Sequence, residues 1–247
     1  MASVQARTKE IPGLTRPATR RENLLLSKLP ASERLRLIAR CEPVELAVDD
    51  VLCEQQHKPV RHVYFPLSGF MSHVVTLEGR SGIEVRLVGV EGMFGISLMF
   101  GVNVSGRVRV HGAGYALRLE AAQFLRELKC SPALTQTLNR YLLVIASQLI
   151  QTAACNRFHR LPARLARWLL MARDRANSHE FYLTHELASS ILGARREGVT
   201  EAAKLLQTRK MIRYHRGHVT IINAPALEAA TCKCYAATTQ VYAEIMS

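Results

Sequence analysis

Two different hydrophobic periodicities divide the chain. Between residues 41 and 119, apolar and polar positions alternate with a period close to two, in short runs separated by glycine, proline, serine and aspartate. Many short strands with this punctuation are typical of an all-β roll or barrel. The predicted strands cover residues 44–48, 51–53, 62–66, 70–77, 83–90, 107–111 and 115–119.

Segments with helical spacing of apolar residues lie on both sides of this β region. Residues 23–40 predict a helix with Ser32 as its N-cap and Leu35 on its apolar face. The same spacing predicts further helices over residues 121–130, 161–175 and 225–246. Trp168 falls on the inward face of the second of these, so we expect it in a core.

A longer helix is predicted between residues 132 and 159. Apolar or small side chains follow an alternating four-and-three spacing along it, which is typical of a coiled-coil seam. The predicted dimer interface consists of Leu138, Leu142, Ile145, Leu149 and Thr152. The alternative is a helix that packs entirely within one subunit.

Residues 183–223 predict two short helices, a tight turn and a β-hairpin. Thr184 is a suitable N-cap for the first helix, and Gly193 is suited to end it because glycine adopts the left-handed conformation easily. The second helix is predicted over residues 194–208, and the hairpin turns at Arg216 and Gly217. Two short helices joined in this way form a helix-turn-helix, and the hairpin forms a wing.

The second helix begins with side chains suited to reading base edges. Arginine matches O6 and N7 of guanine, and a carboxylate such as that of Glu197 accepts a hydrogen bond from cytosine N4. The candidate DNA-binding residues are Arg195, Arg196, Glu197, Thr200, Glu201, Lys204, Thr184, His215, Arg216 and His218. The alternative is an ordinary helical hairpin whose charges are solvated.

This segment resembles the winged helix of the Crp/Fnr transcriptional regulators. The matching residues are Gly193, Arg196, Glu197, Val199, Glu201 and the run Lys204-Leu205-Leu206, while Ala188-Ser189 departs from the usual pattern. The resemblance implies that Arg196, Glu197 and Glu201 read bases. It also implies an α+β fold, with a cyclic-nucleotide-binding-like β-roll, a dimerisation helix and a winged helix-turn-helix that binds double-stranded DNA as a homodimer. RNA polymerase is then a candidate partner.

The run Val90-Glu91-Gly92-Met93-Phe94-Gly95 resembles the glycine-rich entry to the family's phosphate cassette. The candidate effector pocket is Glu91, Gly92, Gly95, Ser105 and Arg107. Ile96 and Val104 stand about where the resemblance places the ribose glutamate and the phosphate arginine, so we expect no tight binding of cyclic AMP. The roll is then a sensor for an unknown small molecule or a degenerate effector domain, and the glycines alternatively serve tight turns.

These patterns predict four segments and a nucleic-acid partner. The segments are a basic arm at 1–22, a β-roll domain at 23–130, a dimerisation helix at 131–159 and a winged-helix domain at 160–247. The arm is read as a disordered terminus, with a DNA-touching tail or an organellar transit peptide as alternatives. A net charge of +13 favours a polyanionic partner. No apolar run approaches about 18 residues, so we expect no membrane span. The scattered cysteines and the lack of a recognisable secretory signal favour a cytoplasmic protein.

The cysteines and histidines predict neither a metal site nor an enzyme. Cys232 and Cys234 are the only close pair of cysteines, and a metal site needs a second pair of ligands. The chain lacks the clustered N-terminal cysteines with which some members of the family bind an iron–sulfur cluster. The nine histidines are dispersed, and Glu84 and Glu91 are read as surface or turn residues. The alternative function is a ligand-binding module without DNA-binding activity.

Overall fold

The computed structural model describes residues 22–53, 60–76, 82–102 and 106–247. The predicted arm therefore lies outside the described residues except for Glu22. Val104 and Ser105, which bear on the predicted effector pocket, also lie outside them. None of the helices among the described residues combines the length and apolarity that a membrane span requires.

Two antiparallel sheets form the β-roll. Its strands are β1 (Glu42–Leu46), β2 (Val51–Cys53), β3 (His62–Pro66), β4 (Phe70–Val75), β5 (Ile83–Val88), β6 (Arg107–Gly112) and β7 (Gly114–Glu120). One sheet has the order β1-β7-β3 and the other the order β2-β6-β4-β5. Each of these strands overlaps a run predicted from the alternating pattern and its flanking turn residues. The all-β roll is confirmed.

The N-terminal helix differs from its prediction. A 3-10 turn (Leu26–Lys28) comes first, and α1 (Ala31–Ile38) begins after Pro30. Proline pre-sets the backbone for a helix start, so Ser32 lies inside the first turn and is not the N-cap. The predicted apolar face also differs, because packing buries Leu37, whereas Leu35 is 62% exposed.

The long helix is confirmed. A short helix, α2 (Ala121–Cys130), precedes α3 (Pro132–Phe158). The Ser131 side chain caps α3 by accepting a hydrogen bond of 3.0 Å from the Leu134 amide, and Pro132 occupies a first-turn position that needs no donor. One face of α3 packs against the roll through Leu134, Leu138, Tyr141 and Val144.

The second domain contains the predicted helix-turn-helix. It contains α4 (Leu161–Ala176), β8 (Glu180–Tyr182), α5 (His185–Leu192), α6 (Arg196–Thr208), β9 (Ile212–His215) and β10 (His218–Ile221). The hydrophobic pattern predicts no element between residues 175 and 183, but β8 forms there and pairs with β10. A three-residue strand is too short to show a period, and its pairing partner lies far along the chain.

The C-terminal segment consists of two helices and not one. After α7 (Ala224–Ala229) the chain turns, and α8 (Cys234–Met246) then runs back along α3. Gln151 donates to Cys234 Sγ at one end of this pairing, and Arg140 donates to the Ser247 carbonyl at the other, at 2.9 Å in both cases. α8 therefore lies antiparallel to α3 and returns the chain to the N-terminal domain.

The two domains pack directly on each other. The Trp168 indole N–H donates to Glu84 Oε1 at 2.8 Å, and Arg175 pairs with Glu91 at 2.9 Å. The Phe70 ring lies edge-on to Trp168, with 6.1 Å between the ring centroids. The reading of Glu84 as a surface or turn residue is wrong: it lies in β5 and is 8% exposed, because this strand face is covered by α4.

Candidate DNA-reading surface

The helix-turn-helix is built by local capping and a shared apolar base. Thr184 Oγ1 accepts a hydrogen bond of 3.0 Å from the Leu187 amide and so caps α5. Gly193 ends α5 with φ of 55°, a left-handed conformation that costs other residues more. Beneath α6 lies a buried stripe formed by Val199, Ala202, Ala203 and Leu206.

The outer face of α6 brings the predicted base-reading side chains together. Six of them are exposed along one helix, namely Arg195, Arg196, Glu197, Thr200, Glu201 and Lys204. Arg195 is the N-cap residue, so the arginine pair stands at the N-terminal end of α6, the end that enters the major groove first in this motif. Thr184 is half-buried, and its hydroxyl is engaged in capping α5.

The wing presents the predicted basic tip. His215 and His218 pair across the hairpin, and the turn between them is made by Arg216 with φ of 47° and Gly217 with φ of 82°. His215, Arg216 and His218 are all exposed. The Tyr182 ring supports the hairpin edge-on, with 5.4 Å between its centroid and that of His218.

Sequence reasoning missed two aromatic residues behind this surface. The rings of His185 and Tyr214 pack with centroids 4.6 Å apart, and His185 Nδ1 lies 3.0 Å from Thr200 Oγ1. Burial and the nearby Arg196 charge lower the pKa of His185, which favours the neutral ring. His185 thus positions Thr200 on the reading helix. The contact joins different helices, and no spacing along the chain would have shown it.

Comparison with known proteins agrees with this geometry. Residues 163–230 match the model of the Crp-like helix-turn-helix domain. The fold is similar to that of a CRP-family transcriptional regulator from Thermus thermophilus, with 20% identity, a TM-score of 0.62 and coverage of 75% of this chain and 95% of that one. It is also similar to FixK2 from Bradyrhizobium japonicum, with 12% identity, a TM-score of 0.63 and coverage of 78% and 98%. No curated protein sequence matches the chain.

This chain has the Crp/Fnr fold. The Crp-like domain lies on that fold where the helix-turn-helix was predicted, and the resemblance found in the sequence is confirmed. Within this fold, residues 163–230 form a Crp-like helix-turn-helix domain.

The predicted dimer seam on α3 needs correction at Leu138. Leu138 is fully buried inside its own subunit, where it packs against the roll, and is therefore unavailable to a partner. Leu142, Ile145 and Thr152 are half-buried, and Leu149 is 40% exposed. The physical reason is that α3 is apolar on two faces, and periodicity alone does not tell which of them covers the roll.

A second stripe on α3 points outward. Leu143 is 60% exposed and Ile150 is 72% exposed, which is unusual for such large apolar side chains. Ala146 and Ala153 are exposed between and beyond them. Residues 143, 146, 150 and 153 follow the same three-and-four spacing as the predicted seam, rotated around the helix.

The predicted effector residues lie in different environments. Glu91 is paired with Arg175, and a Cβ on Gly92 would lie 1.5 Å from the Tyr141 hydroxyl oxygen. That oxygen accepts hydrogen bonds from Arg86 and from the Met93 amide. Gly95 has φ of 93° and opens the 3-10 turn Ile96–Phe100, while Arg107 is exposed. Glu91 and Gly92 thus contact other elements of the protein itself.

A group of metal-ligating side chains occurs near the end of α3. The ligand atoms of Cys155, His159, Cys232 and Cys234 all lie within 4.8 Å of one another. The sequence showed only the last two as a pair, because the other two approach through the packing of α8 on α3.

Proposed function

We propose that the protein is a homodimeric regulator that reads a specific DNA sequence through α6. The observation that supports this best is the exposed outer face of α6, with Arg195 and Arg196 at its N-terminal end and the basic wing nearby in the same domain. Arg196 and Glu197 are proposed to read base edges, and Arg216 is proposed to contact phosphate. Base contacts give specificity, whereas phosphate contacts give affinity that falls with salt.

The dimer is proposed to form along the outer stripe of α3. Leu143 and Ile150 in one subunit would meet the same residues in a second copy, which removes both large side chains from water. A two-fold pair of reading helices suits half-sites about 34 Å apart. The dimer geometry therefore sets which spacing of half-sites the protein binds.

The β-roll is proposed to act as a sensor or as a degenerate effector domain. Tyr141 fills the space beside Gly92, which supports the expectation that the roll does not bind cyclic AMP tightly. Isothermal titration that shows micromolar or better affinity for cyclic AMP would contradict this expectation. Because Trp168 and Arg175 of α4 contact Glu84 and Glu91 of the roll, a change in the roll would reach the DNA-binding domain through this interface.

The DNA-reading proposal predicts different outcomes for two kinds of arginine. DNA sites are first selected from random genomic fragments with the unmodified protein. Arg196→Ala is expected to reduce discrimination between selected and unselected DNA by about 5- to 150-fold, since one bidentate base contact contributes about 1–3 kcal/mol. Arg216→Ala is expected to weaken binding to all sequences alike and to lower the salt slope by about 1. Both are measured by fluorescence shift titration at several salt concentrations.

Arg126→Ala is the matched control. It removes the same charge from an exposed position on α2, outside the DNA-binding domain, and should leave both quantities unchanged. If Arg126→Ala reduced discrimination as much as Arg196→Ala, only net charge would matter and base reading by α6 would be refuted.

A further inference from the structure

Three cysteines and a histidine meet where the C-terminal helix begins its return along α3. Cys155 Sγ lies 3.5 Å from Cys232 Sγ, and Cys234 Sγ lies 3.5 Å from His159 Nδ1. Cys155 and Cys234 are buried, Cys232 is half-buried and His159 is exposed. These are the four residues whose ligand atoms lie within 4.8 Å of one another.

The separations agree with the edges of a small tetrahedron. Zinc–sulfur and zinc–nitrogen bonds of about 2.3 and 2.0–2.1 Å imply edges of about 3.8 Å between sulfurs and about 3.6 Å between sulfur and nitrogen. Two of the six edges are 3.5 Å, close to these values. All six separations lie within 4.8 Å, so none exceeds an ideal edge by more than about 1 Å.

The backbone supplies the ligands as two pairs. Cys155 and His159 are four residues apart at the end of α3, so they lie on one helical face, and His159 is the C-cap residue. Cys232 lies in the turn between α7 and α8, and Cys234 is the first residue of α8. The turn that interrupts the predicted C-terminal helix therefore directs both of these cysteines towards α3.

Burial raises the pKa of the Cys155 thiol to about 12, and the charge of Arg167 acts against that shift. Three thiolates and one divalent cation leave a net charge of −1, and the guanidinium groups of Arg164 and Arg167 lie near enough to interact electrostatically with Cys155. Arg164 interacts in the same way with Cys232. Gln151 donates a hydrogen bond of 2.9 Å to Cys234 Sγ, an outer-shell contact of the kind that orients metal ligands.

We infer that Cys155, His159, Cys232 and Cys234 form a tetrahedral binding site for Zn²⁺. A closed set of four sulfur and nitrogen ligands is typical of structural zinc, whereas magnesium and calcium prefer oxygen. The ion would cross-link the first turn of α8 and the last turn of α3. That position immediately precedes Arg160, where the chain leaves α3 and enters α4 of the DNA-binding domain.

The inference replaces the sequence-based expectation that the chain binds no metal. That expectation rested on the lack of a second ligand pair beside Cys232 and Cys234. The second pair is Cys155 and His159, which lie more than 70 residues earlier in the chain but adjacent in space.

The test measures metal bound by the full chain, without DNA. Protein purified under reducing, oxygen-free conditions is expected to contain one zinc per chain by elemental mass spectrometry. After zinc removal, Co²⁺ is expected to give the intense visible bands of tetrahedral thiolate coordination. Cys234→Ala is expected to lower zinc affinity more than about 100-fold and Gln151→Ala about 10-fold, measured by competition with a chromophoric chelator.

Cys130→Ala is the matched control, because Cys130 is an exposed cysteine at the end of α2 and should leave zinc content unchanged. If Cys234→Ala fails to fold, the Co²⁺ titration of the unmodified chain still decides the question. Three results would each overturn the assignment. They are the absence of bound zinc after zinc addition, a Cys155–Cys232 disulfide in the reduced preparation, and bound iron with the absorption of an iron–sulfur cluster. Zinc binding is measured without DNA, so its failure is distinguishable from failure of the proposed DNA reading.

Discussion

Ile150→Asp is expected to convert the proposed dimer into a monomer at micromolar concentration. Ile150 is 72% exposed in the single chain, so aspartate there costs the subunit itself little. In the proposed dimer it would place two carboxylates in an apolar seam, at a cost of several kcal/mol. Because each 1.4 kcal/mol is tenfold, the dimer dissociation constant should rise by at least about 100-fold. Light scattering measures the change, and affinity for paired half-sites should fall with it.

Leu35→Asp provides the comparison. Leu35 is also a large exposed apolar residue, at 62%, but it lies on α1 and away from the stripe of α3. This variant should remain dimeric. A monomeric unmodified protein, or a dimer that tolerates Ile150→Asp, would show that the outer stripe of α3 is not the interface.

Glu84→Gln is expected to remove a loss of folding stability that buried Glu84, at the interface between the two domains, causes as the pH rises. Burial raises the pKa of Glu84 from 4.5 to about 7, although the hydrogen bond from Trp168 and the charges of Arg175 and Arg167 oppose the shift. The folded state therefore holds a proton that the unfolded chain has lost, and stability falls as the pH rises from about 4.5 to about 7. Above pH 7 the glutamine variant should be more stable by on the order of 3 kcal/mol, with no gain near pH 4.5.

The measurement is urea unfolding at several pH values, followed by the fluorescence of Trp168, the single tryptophan and a direct contact of Glu84. Buried His111, with its pKa lowered to about 4, makes both proteins less stable as the pH falls, and it cancels in the difference between them. Glu45→Gln, on the exposed side of β1, should show no pH-dependent gain. Parallel profiles for Glu84→Gln and the unmodified protein would refute the interface effect.

Much of the DNA-binding domain could be predicted because its signals are local. The cap at Thr184, the left-handed end at Gly193 and the apolar stripe of α6 all act within a few residues, and they define which side of α6 remains exposed. Once Val199 and Leu206 are buried, the intervening charged residues must face outward. The exposed side of α6 therefore followed from the pattern, whereas the base-reading role of Arg196, Glu197 and Glu201 came from the family resemblance.

The rotational position of α3 could not be predicted in this way. The helix carries apolar residues on more than one face, and the roll covers Leu138 while Leu143 and Ile150 remain exposed. Which face is covered depends on the shape and packing of distant strands. The burial of Glu84 beneath Trp168 depends on the same long-range packing, and neither strand alternation nor charge distinguishes it from a surface glutamate.

By itself, the sequence determined the β-roll, the long helix and the winged helix-turn-helix, together with the chemistry on the outer face of α6. The tertiary structure alone decided where the outer stripe of α3 lies, how α4 meets the roll and how Cys155 and His159 approach Cys232 and Cys234. The physical reason is the range, along the chain, of the interactions involved. Periodicity and capping are set by neighbours within a turn or two of the chain, whereas these arrangements depend on contacts between elements far apart in sequence.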